Sequence, residues 1–90
     1  MKRYHCIIKG RVQGVGFRYF SREQAVKLGL NGWVRNLYDG SVVLEVQGEE
    51  NYVEEFLKRI KQGPGFGYVT DMDINNIPVL EAENDFRITY

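Results

Sequence analysis

Two stretches of helical periodicity, each bracketed by stretches that alternate like strands, restrict this chain to a short list of folds. Val53, Phe56, Leu57 and Ile60 recur at i, i+3, i+4 and i+7, the spacing of one helix face. Glu49, Glu50, Glu54 and Glu55 lead this segment and Lys58, Arg59 and Lys61 trail it, so its charges complement its own dipole, and Gly63-Pro64 ends it. A first helix is predicted from about Arg18 to Leu28, with Phe17, Phe20, Ala25 and Leu28 on one face and Gly29 placed as a left-handed cap. Tyr4 to Arg11 alternates, with Tyr4, Cys6 and Ile8 on one side and His5, Ile7, Lys9 and Arg11 on the other. Gly32 to Leu37 and Ser41 to Gln47 are strand-like about an Asp39-Gly40 hairpin signal, and Val42, Leu44 and Val46 are expected to share the buried face. Tyr68 to Ile77 and Phe86 to Tyr90 complete the strands.

The order strand, helix, strand, strand, helix, strand matches two interleaved split βαβ units. The expected fold class is therefore α+β, a ferredoxin-like βαββαβ sandwich with an antiparallel sheet and two helices on one face. Ninety residues make one domain's worth of chain, burying roughly 60 to 65% of the surface exposed when unfolded. Strand one runs up, helix one down and strand two up again. The loop after strand one and the end of strand two therefore meet at one edge, and residues about twenty apart in sequence become neighbours.

Charge says what that edge cannot rely on. Twelve basic residues balance twelve acidic ones, so no net field favours nucleic acid or an anionic membrane, and any bound anion must be held locally. The single cysteine, Cys6, has no partner for a disulfide or a shared metal, which fits a reducing compartment. Met1-Lys2-Arg3 leads into a short mixed strand and not an apolar leader, and no apolar run reaches the roughly 18 residues of a membrane span. A cytoplasmic location is expected.

The edge collects Val12 to Arg18 and Asn36. Gly14-Val15-Gly16-Phe17-Arg18 turns directly into a helix, so main-chain N–H groups and the positive end of the helix dipole can converge on one anion, and phosphate fits such a concavity. Arg18 adds a planar, permanently charged fork able to bind two phosphate oxygens at once. A glycine-rich strand-to-helix turn can equally be structural, and spacing alone leaves both readings open. The dinucleotide pattern lacks its third glycine and the nucleotide-binding loop its Gly-Lys-Ser/Thr ending, so a nucleotide is not expected.

Gly10-Arg11-Val12-Gln13-Gly14-Val15-Gly16-Phe17-Arg18 resembles the first signature of the acylphosphatase family. Gly32-Trp33-Val34-Arg35-Asn36, followed by Gly40, Val42 and Gly48, resembles the second. The resemblance covers nearly the whole chain, and it implies one acylphosphatase-like domain over 1–90 with the ferredoxin-like fold. It further implies that Arg18 is the phosphate-binding arginine, that Val12, Gln13, Gly14, Val15, Gly16 and Phe17 supply main-chain donors, and that Asn36 orients the attacking water. The implied reaction is hydrolysis of an acyl phosphate to a carboxylate and inorganic phosphate, with phosphate as product and inhibitor, no metal, no cofactor and no phosphoenzyme. A small-molecule acyl phosphate is then the expected partner of a monomeric enzyme. The segment 63–77 carries no motif of either signature.

Other candidates weigh less. His5 and Cys6 lie at the beginning of strand one, and at about 3.3 Å per residue His5 is on the order of 20 Å from the loop. Cys6 has no arginine six residues on to complete a cysteine-phosphatase loop and is expected to be a small buried residue. Asp71 and Asp73 share one face of a late strand and are expected to be solvated. The alternative from another class is an RNA-binding module, with Trp33, Tyr4, Tyr68 and Tyr90 stacking bases on the open sheet face. Zero net charge and an aliphatic, acidic third strand argue against it.

Overall fold

All residues from 1 to 90 are described by the computed structural model. They form, in chain order, β1 (Lys2–Arg11), α1 (Phe17–Lys27), β2 (Asn31–Asn36), β3 (Val42–Gly48), α2 (Glu50–Gln62), β4 (Tyr68–Ile77) and β5 (Phe86–Ile88). The sheet order is β4-β1-β3-β2-β5. β1 and β2 each pair antiparallel with β3, and β4 pairs antiparallel with β1. This is the expected α+β ferredoxin-like sandwich. The short last strand extends it by pairing parallel to β2, so the five-stranded sheet is mostly, not wholly, antiparallel.

β3 is central because both its faces can be buried. Val42, Leu44 and Val46 are fully buried toward the helices, and Val43 and Gln47 are nearly so on the opposite face. Cys6 and Ile8 of β1, Val34 of β2 and Phe86 of β5 join them on the helix side. α1 contributes Phe17 and Ala25, and α2 contributes Val53, Phe56 and Ile60. Each of the larger of these side chains, Val, Leu, Ile and Phe, stabilises the fold by about 1.5 to 3 kcal/mol on burial. The helices stop where the sequence says they should. Gly29 is left-handed with φ 69°, and the Gly63 N–H donates to the Arg59 carbonyl at 3.1 Å.

Cys6 is wholly buried between Leu44 and Ile74, its partners across the sheet. Burial, with the charges of Asp73 and Glu45 adding to it, pushes its thiol up to about 12. The thiolate is the reactive form, so at pH 8 iodoacetamide should leave the native thiol unmodified and label it rapidly in denaturant, as mass spectrometry would read. The sign for stability follows. The unfolded thiol ionises first, so folding weakens as pH rises above about 9 and keeps weakening toward 12.

Beyond β4, residues 78–85 cross the open face of the sheet at the end far from the β1-α1 loop. The Gln47 side chain pairs with both main-chain groups of Leu80, at 2.8 Å each, and the Asn31 amide donates to the Glu83 carbonyl. Beneath this strap lies Arg3, with no exposed surface.

Candidate active site

The loop between β1 and α1 anchors itself with side chains and leaves its main chain free. Val12 and Phe17 are buried in the core, at 1% and 2% exposure, so neither offers a side chain to a ligand. Gly14 and Gly16 adopt φ of 74° and 75°, a left-handed conformation that L side chains rarely take. A Cβ at either position would meet no protein atom within 4 Å, so it is the conformation, not crowding by the protein, that calls for glycine. These two turns direct the amides outward. No main-chain N–H from Gln13 to Tyr19 donates to another protein group, and the first bond of α1 runs from the Phe20 N–H to the Gly16 carbonyl at 2.9 Å.

The two helices differ at their N-termini in a telling way. At α2 the Glu49 side chain accepts from the Asn51 N–H, and Glu50 follows in the first turn. At α1 the capping residue is Gly16, no side chain caps, and the first turn holds no acidic residue. The positive end of α1 is thus left for an external anion.

Two elements grip the loop from either flank. On the β2-β3 side the Gln13 amide donates to the carbonyls of Leu37 and Ser41, at 2.7 and 2.8 Å, tying loop to hairpin. The hairpin closes through the Leu37 N–H on the Ser41 carbonyl, and Asp39 accepts from the Ser41 hydroxyl and N–H. Those two bonds hold the Asp39 carboxyl below its usual range. On the β4 side Gly67 packs so closely on the Arg11 carbonyl that a Cβ there would collide with it and press on the Val15 side chain. The segment before β4, which carries no motif, is therefore a wall of the loop.

Arg18 leaves the first turn of α1 and reaches the strand pair β2-β5. Its Nη1 donates to the Thr89 carbonyl at 3.3 Å, and its guanidinium lies 4.6 Å from the centre of the Tyr90 ring. Asn36 ends β2 opposite Val42, on the helix side of the sheet. It lines a cavity of about 500 Å³ with Gln13, Arg35, Leu37, Tyr38 and Tyr90. Tyr90 touches Arg18 and borders this cavity, so it bridges the two residues singled out from the sequence. The loop, Arg18 and Asn36 thus meet at one edge, as the topology requires. The roles of Thr89, Tyr90 and the Gln13 amide were not legible beforehand, because each depends on contacts more than twenty residues away in sequence.

The other candidates lie elsewhere. His5 sits mid-strand opposite Glu45, and Asp71 and Asp73 are exposed on β4 with no third acidic, histidine or cysteine side chain grouped with them. A groove of about 430 Å³ between α2 and β4, walled by Leu57, Val69, Met72 and Ile74, is remote from Arg18 and Asn36. No helix is long and apolar enough to cross a membrane.

Fold and edge together define a ferredoxin-like α+β sandwich with a cradle of free main-chain donors beside one arginine. The sequence model of the acylphosphatase family matches residues 4–88. A Clostridium beijerinckii protein named acylphosphatase is 54% identical over 90 residues, all of both chains. The crystal structure of acylphosphatase from Bacillus subtilis superposes with a TM-score of 0.95 at 43% identity, covering all of both chains. The structure of an acylphosphatase from Coxiella burnetii gives a TM-score of 0.91 at 35% identity, covering 98% of this chain and 92% of the other. The chain belongs to the acylphosphatase family.

Proposed function

We propose that this chain hydrolyses acyl phosphates to a carboxylate and inorganic phosphate, and that the loop, Arg18 and Asn36 carry out the reaction. The observation that carries the reading is the row of unpartnered N–H groups from Gln13 to Tyr19 at an uncapped helix start, with Arg18 beside it. These donors and the Arg18 fork hold the phosphoryl oxygens and stabilise the charge that builds on them. Asn36 holds a water in the neighbouring cavity, on the phosphorus side opposite the acyl oxygen. The water oxygen bonds to phosphorus, the phosphorus–oxygen bond to the acyl group breaks, and the carboxylate departs with the electron pair. The water's proton passes to a phosphate oxygen. A carboxylate is a good leaving group, so placement and electrostatics suffice without a strong general base.

The reading needs only a small-molecule substrate, with inorganic phosphate as product and inhibitor. We place the monomeric enzyme in the cytoplasm on the strength of its unpaired, buried cysteine. The RNA-binding alternative gains little support. Trp33 stands on the open face beside Arg35, whereas Tyr4 packs against the core and Tyr90 borders the cavity, so these rings make no stacking row.

The test is hydrolysis of benzoyl phosphate with and without a chelator. Equal turnover in both is expected. No turnover in either overturns the function, and turnover lost only on chelation overturns the metal-free mechanism.

A further inference from the structure

In-line displacement fixes where the acyl group must go. If the water sits at Asn36, the leaving carboxylate departs from the far side of phosphorus. Strand order assigns that far side. The cradle rises from the end of β1, between β3 and β2 with Asn36 on one flank and β4 on the other. The β4 flank is entered by the segment Gly63 to Gly67, whose last residue, Gly67, packs on the Arg11 carbonyl beside Val15. Gly63 and Gly65 shape the segment with positive φ, 77° and 92°. Phe66, the residue before Gly67, is 81% exposed.

Folding gives no reason for a phenylalanine there. Its ring is outside the core cluster, and burial energy scales with the apolar area removed from water. An exposed ring next to the residue packed on the loop, on the flank opposite Asn36, has a use once an acyl group lies against it. We infer that Phe66 is a specificity-determining residue, the apolar platform that receives the acyl group and favours aromatic acyl phosphates over small ones. This inference rests on the acyl phosphate reading above.

The experiment compares kcat/KM for benzoyl and acetyl phosphate. In the unmodified protein benzoyl phosphate is preferred. Phe66→Ala lowers the benzoyl-to-acetyl ratio about two- to tenfold, the size of an aromatic contact, while the inhibition constant of inorganic phosphate stays the same. Phe66→Tyr keeps the ratio. Tyr38→Ala, on the Asn36 flank, and Tyr52→Ala, on α2, also keep it. An unchanged ratio in Phe66→Ala overturns the inference, as does a ratio that moves with Tyr38 instead, because the acyl group then leaves on the water side. Equal use of both substrates by the unmodified protein also overturns it. Failure to hydrolyse either one overturns the proposed function itself.

Discussion

Asn36→Ala is expected to lower kcat for benzoyl phosphate by roughly 10²- to 10³-fold, the usual loss for one orienting or charge-stabilising donor, while inorganic phosphate still inhibits. Arg18→Ala is expected to lose turnover and phosphate inhibition together. The contrast follows from position. Arg18 extends from the cradle itself, and removing it deletes a charge that any bound phosphate would contact. Asn36 belongs to β2 and lines the neighbouring cavity, so in the proposed reaction it serves the water and not the phosphate. Arg18→Lys should restore little, since a point charge cannot reproduce a planar fork. The Asn36 loss should not reflect unfolding. Asn36 is partly exposed, and its amide has no hydrogen-bonding partner in the protein, unlike that of Asn31, which holds Glu83. Steady-state kinetics beside a thermal melt would separate the two effects. An active Asn36→Ala enzyme would remove the role assigned to Asn36, and retained phosphate inhibition in Arg18→Ala would remove that of Arg18.

The parts of this molecule that sequence disclosed were those written in local periodicity. Val53, Phe56 and Ile60 announce α2, and Val42, Leu44 and Val46 announce a buried strand face, because 3.6- and 2-residue repeats survive in any context. Gly14 and Gly16 were legible for the same reason, since a left-handed turn is a local demand. Contacts between distant residues left no such mark. Gln13 looked like one more main-chain donor, yet its side chain is what fastens the cradle to the hairpin. The segment 63–77 carries no motif, yet its Gly67 packs on the Arg11 carbonyl beside Val15 and so borders the loop. β5 looked like one more antiparallel strand, but its parallel pairing with β2 depends on residues 78–85 crossing the sheet first. Arg3, near the start of the chain, reads as a surface cation by residue type and is instead fully buried.

That burial gives the largest stability effect to be expected. Arg3 Nη1 donates to Glu83 Oε1 at 2.6 Å and to Gln47 Oε1 at 3.1 Å, and its Nε donates to Glu45 Oε1 at 3.0 Å. Burial works to discharge the guanidinium, but the hydrogen bonds to Glu83 and Glu45 outweigh it and hold the pKa above its ordinary value. A raised pKa means the contribution is fully present below the unfolded value, hence throughout the accessible range. Arg3→Ala leaves the strap's Glu83 carboxylate, 8% exposed, without its 2.6 Å partner and facing only the half-exposed Arg87 guanidinium at 3.6 Å. Breaking one side of a buried pair costs about 3 to 5 kcal/mol, so the melting temperature should fall on the order of 15 °C or more in a domain of this size. The remedy distinguishes charge from packing. Arg3→Met combined with Glu83→Leu removes both buried charges and should recover much of the loss, since well-packed apolar substitutes for a buried ion pair are often neutral or better. Thermal denaturation followed by circular dichroism reads both variants. If Arg3→Ala melts within a few degrees of the unmodified protein, the strap does not depend on Arg3, and its hold on the sheet lies with Gln47 and Asn31 alone.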